Sequence, residues 1–178
     1  MEKIALFPGH TGKDSGAVEK AYGSDKLHSI EAGITLCITH KAASIMELMG
    51  IPYAILMGQF DARIGMSEGS VCGVSIHADI SSNSKVRGHH CIYYPGSSKG
   101  KSLANSIDDS LSIIVDRARK VHSNRTLAIL KKTAFPCVLV EVGFLSNQIE
   151  EAALLSHHYQ HRIAFALVDG IRRWLASA

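Results

Sequence analysis

Four runs of this chain are apolar almost without interruption, and each ends in glycine or polar residues: KIALF (3–7), PYAILM (52–57), VCGVSIH (71–77) and CVLVEVGF (137–144). Short continuous runs of this kind are what strands buried on both faces look like. HCIYY (90–94) and TLAIL (126–130) are predicted as two further strands. Between the runs the apolar period changes. Ile30, Ile34, Cys37/Ile38, Ala42, Ile45 and Leu48/Met49 form a helical stripe over Leu27–Met49, stopped by Gly50 and Pro52. Leu103, Ile107, Leu111, Ile114 and Ala118 repeat the period over Ser102–Lys120, and Ile163, Ala166/Leu167, Ile171 and Trp174/Leu175 give a last helix. Residues 59–69 carry no clear period and suit a short helix, and Gly9–Asp25 is predicted as a polar loop. Strands alternating with helices long enough to cover them predict an α/β fold. The expected architecture is a single domain, a twisted, mostly parallel sheet of about six strands flanked by helices on both faces.

A length of 178 residues matches one domain with a sizeable core, and no repeat or linker divides it. The net charge of +3 is too mild to point to nucleic acid. Lys3 and the short apolar run ending at Pro8 do not make an export signal. No stretch approaches the ~20 apolar residues of a membrane span, so cytoplasmic synthesis without a membrane anchor is expected. Cys37, Cys72, Cys91 and Cys137 are scattered, form no C-x-x-C pair and lie in apolar runs. They are expected to be reduced core thiols.

Polar residues stand where three apolar runs end. His10 follows the first by a tight turn, His77 closes VCGVSI, and Glu141 interrupts the end of CVLVEVGF. Open α/β sheets place their sites at the carboxyl ends of strands, so a parallel arrangement would bring all three to one edge. Glu31 lies near the start of the first helical stripe, where the helix dipole favours a carboxylate and where it can face that edge. Histidine and glutamate suit zinc, and three protein ligands leave a fourth position for a water acidified to a pKa of about 7. A second glutamate beside it would take the proton. A lone histidine after a strand is more often a turn residue, but a carboxylate in an apolar strand is costly unless paired or metal-linked. The joint placement carries the case.

These segments resemble a known family. IALFPGHTGKDSGA is similar to the D-P-G-H-G-G-x-D-x-G-A-like opening of the zinc-dependent N-acetylmuramoyl-L-alanine amidases of the AmiC/CwlV type. VSIHAD resembles their S-I-H-A-N segment and LVEVGFLSN their E-x-G-F-x-S-N segment, in the same order, over Ile4 to about Trp174. The resemblance implies zinc ligands at His10, Glu31 and His77, a catalytic glutamate at Glu141, and peptidoglycan as substrate. It implies hydrolysis of the amide between the lactyl group of N-acetylmuramic acid and the L-alanine of the stem peptide. Four departures stand out. Phe7 replaces the aspartate before Pro-Gly-His, Thr11 a glycine, Asp79 an asparagine, and His89–His90 fall where G-x-E is common.

On this resemblance, residues 1–178 are expected to be one zinc amidase catalytic domain with no separate wall-binding domain. A phage endolysin that reaches the wall after release is the expected setting, ahead of a mother-cell amidase of a spore former. A zinc exopeptidase and an inactive wall-binding module are the rival readings. His89 and His90 are expected beside the cleft, in reach of substrate. His157 and His161, although spaced i, i+4, are assigned to a solvated helix face, and His28, His40 and His122 have no evident partner.

Overall fold

The computed structural model describes residues 3–10, 16, 18–20, 27–115 and 121–177, with the backbone alone for 18–20 and 27–30. The strands are β1 (Lys3–Pro8), β2 (Val18–Lys20), β3 (Leu27–Ile30), β4 (Tyr53–Ile55), β5 (Ser70–Asp79), β6 (His90–Tyr93), β7 (His122–Ser123) and β8 (Cys137–Phe144). The helices are α1 (Glu31–Leu48), α2 (Phe60–Met66), α3 (Ser98–Leu111), α4 (Ala128–Lys132), α5 (Gln148–Leu154) and α6 (His157–Ser177). Six strands form the main sheet in the order β4-β1-β5-β8-β6-β7, and β2 and β3 make a separate antiparallel pair. The main sheet is parallel throughout except where β6 meets β8. The expected α/β domain with a mostly parallel six-stranded sheet is therefore observed.

The two faces of the sheet are covered unequally. Ile4 and Leu6 of β1, Cys72, Val74 and Ile76 of β5, and Val138 and Val140 of β8 pack beneath the long helices α1, α3 and α6. Alternate residues turn the other way, as strand geometry requires. Ala5, Phe7, Ile92, Cys137 and Leu139 meet Ile129 and Leu130 of α4, with Phe60 and Ile64 of α2 alongside. Among the described residues two short helices, α2 and α4, cover that face. The Phe7 ring fills this smaller core with no exposed surface, which accounts for an apolar residue before Pro8.

Several expectations are corrected. TLAIL is not a strand: Ala128–Lys132 is helix α4. Asn124 Oδ1 accepts hydrogen bonds from the Thr126 and Leu127 amides, turning the chain before the helix, and β7 takes the sixth place in the sheet. Such a short apolar run carries no period that separates strand from helix. The first helix begins at Glu31, not Leu27, because 27–30 pair with Val18–Lys20 inside what was predicted as a loop. The third begins at Ser98, where Ser97 Oγ accepts from Gly100 N, and it ends at Leu111; residues 116–120 lie outside those described. Residues 59–69 do contain the short helix α2.

Cys37 is exposed, whereas Cys72, Cys91 and Cys137 are buried. The buried stripe of α1 runs through Ile34, Thr35, Ile38, Thr39 and Ala42, which turns Cys37 to solvent. Burial pushes the Cys72 and Cys137 thiols up to about 12 and raises Cys91 as well, so none of the three forms the reactive thiolate at neutral pH. At pH 8 the native protein should therefore expose a single thiol to a small disulfide reagent, and unfolding should release all four. Cys37→Ser should abolish the native reaction; two or more native thiols would contradict this packing.

Candidate metal and catalytic site

β1, β5 and β8 are parallel, so their carboxyl ends lie together at one edge of the sheet. His10 follows β1 immediately. Its φ of 51° is the left-handed region, costing a non-glycine residue roughly 1–2 kcal/mol, although histidine is among the residues enriched there. The turn is held by the backbone: Gly9 N donates to Ile76 O at 2.7 Å. A Cβ at Gly9 would meet Ile76 O at 2.5 Å and His77 Nδ1 at 2.7 Å, so only glycine allows β1 to end against β5. Thr35 Oγ1, fully buried one turn along α1, donates to Gly9 O at 2.7 Å, and Arg63 Nη1 of α2 donates to Pro8 O at 3.1 Å.

Glu31, the first residue of α1, joins the two histidines. Its carboxylate is 4% exposed. Oε1 lies 2.9 Å from His77 Nδ1 and accepts from Ala78 N at 3.1 Å, and Oε2 lies 3.3 Å from His10 Nε2. The two imidazoles meet edge to face at 5.1 Å. Gly16 passes over the pair with φ 66°, and a Cβ there would collide with His10 Cδ2 at 2.5 Å and Glu31 Oε2 at 2.6 Å. One ligand atom from each of His10, Glu31 and His77 lies within 4.8 Å of the others. Two imidazoles and a carboxylate are the donor set of a borderline cation such as zinc. Ligands on a tetrahedral ion with ~2.0–2.1 Å bonds stand roughly 3.3 Å apart, so the residues present fit one.

Glu141 is the direct register partner of His77 on β5, and on its other side of His90 on β6. A row His77–Glu141–His90 thus runs across three strands on the thinly covered face. Glu141 Oε2 is buried and takes no hydrogen bond among the described residues. Burial foremost, then the negative charges of Asp79 and Glu31, push its carboxyl up to about 9. A bound cation would act in the opposite direction.

The structure brings together all four residues singled out in the sequence and adds others. Asp79 and His90 join Glu141 in a second convergent group, and His90 stacks on His122, which had no evident partner. Asp79 was within reach of sequence reasoning, since two residues after His77 a strand returns to the same face. His90 and His122 depend on the antiparallel entry of β6, which no local pattern announces. His89 does not face the cleft. It is fully buried, with Nε2 3.0 Å from Asp108 Oδ1 of α3, because neighbouring residues of an extended chain point to opposite faces. His40, His157 and His161 are exposed, and the side chain of His28 lies outside those described. No helix among the described residues is long and apolar enough to cross a membrane.

An α/β sheet with histidine and carboxylate donors gathered at its carboxyl edge is an arrangement able to hold a metal ion for hydrolysis. Residues 4–173 match the N-acetylmuramoyl-L-alanine amidase family Amidase_3, and the chain belongs to that family. It is 27% identical to the catalytic domain of CwlV, N-acetylmuramoyl-L-alanine amidase from Bacillus (Paenibacillus) polymyxa var. colistinus, with a TM-score of 0.88 and all of both chains covered. It is also 27% identical to the CwlD amidase from Clostridioides difficile, solved in complex with the GerS lipoprotein, with a TM-score of 0.87 and full coverage of both. The probable cell wall amidase LytH of Staphylococcus saprophyticus is 26% identical over 176 residues, 97% of this chain. This chain spans 58% of the length of that relative.

Thr35→Val keeps the shape of α1 but withdraws the hydroxyl from the buried Gly9 carbonyl. It should lower unfolding free energy by about 1–3 kcal/mol, the cost of an orphaned buried acceptor, measured by chemical denaturation. An unchanged midpoint would show that the His10 turn does not depend on α1.

Proposed function

We propose that this chain is a zinc-dependent amidase that cleaves peptidoglycan between the lactyl group of N-acetylmuramic acid and the L-alanine of the stem peptide. The observation that carries the reading is the convergence of His10, Glu31 and His77 within 4.8 Å in a chain of the amidase family. In this reading residues 1–178 are the catalytic domain, the three side chains hold the cation, and Glu141 moves the proton. When bound, zinc supplies a Lewis acid for the amide carbonyl and lowers the pKa of water toward neutrality. Glu141 stands beside His77, and its buried Oε2 is directed at no protein donor among the described residues. It takes the proton of the attacking water and delivers it to the departing alanine nitrogen.

Purified sacculi digested with the protein should release new L-alanine amino termini, and a strong chelator should abolish the release, with recovery on adding zinc. Amino acids liberated from free peptides instead would point to an exopeptidase, and binding without cleavage to a wall-binding module.

Glu141→Gln keeps the shape of the side chain and removes its charge. It should retain the tightly held zinc and the fold while turnover falls by about 10² to 10⁴, the usual worth of a positioned general base. Loss of the tight zinc would make Glu141 a ligand, and normal turnover would place the base elsewhere.

A further inference from the structure

A second donor set converges on Glu141. Asp79 of β5, His90 of β6 and Glu141 of β8 each bring a ligand atom within 4.8 Å of the others. His90 Nε2 is 3.3 Å from Asp79 Oδ2, a spacing that two ligands of one tetrahedral ion would have. The imidazole is held in orientation: it stacks on His122 at 5.3 Å and 14°, and on Phe144 at 5.9 Å and 6°. Pleating and register set the carboxylates, because Glu141 pairs directly with both His77 and His90 and Asp79 follows His77 by two residues. Glu141 Oε2 is buried and lacks a hydrogen-bond partner among the described residues. Asp79 adds a second carboxylate to the group, which favours a positive ion.

We propose that Asp79, His90 and Glu141 form a second binding site for a divalent cation of the zinc class, weaker than the first, whose filling halts hydrolysis by tying up Glu141. Weaker binding follows from exposure. The histidines are accessible in both groups, at 14% for His90 against 29% and 19% for His10 and His77, but the Asp79 carboxylate is 35% accessible against 5% for Glu31, so water competes more strongly at that ligand. The inhibitory part rests on the proton-transfer role proposed for Glu141; the binding part does not.

Metal-free protein is titrated with Co²⁺, whose visible absorption reports ligation, and zinc is counted after equilibrium dialysis at rising free concentration. The wild type should take two equivalents per chain. His90→Ala and Asp79→Asn should each weaken the second at least about tenfold and keep the first, whereas His77→Ala should lose the first. The near-isosteric Asp79→Asn covers the case in which His90→Ala fails to fold. On sacculi, the wild-type rate should rise as the first site fills and fall as the second fills. In His90→Ala the fall should disappear, judged as the ratio of that variant's own rates at high and low zinc. Saturation at one equivalent, or a second equivalent that survives both variants, overturns the site. So does a second equivalent lost in His161→Ala, which would place it on the exposed i, i+4 pair of α6. Two equivalents with no fall in rate overturn the inhibitory role. Failure to cleave sacculi at any zinc level overturns the amidase reading while the stoichiometry still decides the site.

Discussion

The Glu31 carboxylate is the group on which the rest of the site depends. A charged group with 4% of its surface exposed is tolerable only if its lone pairs are occupied, and here they are occupied from three directions. His77 and the Ala78 amide take one oxygen and His10 approaches the other. The first two come from the end of β5 and the third from the turn after β1, so the carboxylate welds both strand ends to the start of α1. The start of α1 also contributes a partial positive charge that suits an acid in the first turn. Four residues on, Thr35 grips Gly9 O, so the same helix turn holds the base of the His10 turn and the carboxylate that faces its ring. The left-handed backbone of His10 is the strain this clamp sustains.

The unequal covering of the sheet turns that clamp into an accessible site. The long helices α1, α3 and α6 bury one face completely, and they supply most of the core. The other face is covered by α2 and α4, which are seven and five residues long. His77, Glu141 and His90 lie on this second face, above the smaller core of Phe7, Ile92 and Leu139. Apolar residues below bury the base of the row, and that burial raises the carboxyl of Glu141. Phe7 belongs to this arrangement. It contributes packing where an aspartate would contribute a hydrogen bond, and the polar support of the turn comes from Thr35 and Arg63 instead.

What was legible in the sequence follows from which residues carry local signals. The runs at 3–7, 71–77 and 137–144 are apolar on both faces, so strand and burial were evident together, and parallel pairing placed His10, His77 and Glu141 on one edge. Glu31 was legible as a helix-start acid, although the helix start itself was misjudged because β3 adds apolar residues that mimic a further turn. TLAIL failed for the opposite reason: five residues carry no period, and the deciding contact is the Asn124 turn before it. The second donor group was not legible. It needs a strand that enters the sheet antiparallel, and the direction of β6 is set by tertiary packing.

That packing can be traced to the segment after β8. Leu145 N donates to Asp79 O at 2.8 Å and Ser81 N to Ser146 Oγ at 2.9 Å, which ties the end of β5 to the turn leaving β8. Asn147 caps α5 through its Oδ1 and reaches Ser84 O with its amide at 2.7 Å. Glu150 then accepts from Phe144 N at 2.7 Å and from Gly88 N at 2.6 Å. A single carboxylate therefore holds the last residue of β8 against the backbone just before β6. Gly88 is thereby held beside the end of β8, and two residues later His90 pairs with Glu141 as β6 runs antiparallel to β8. Leu145 binds Asp79 through the backbone, and Ser146, Asn147 and Glu150 hold the flanking segments, so together they position Asp79, Glu141 and His90. A change at Glu150 would act on the second group through backbone position, leaving the His10–Glu31–His77 clamp to its own supports on α1 and α2.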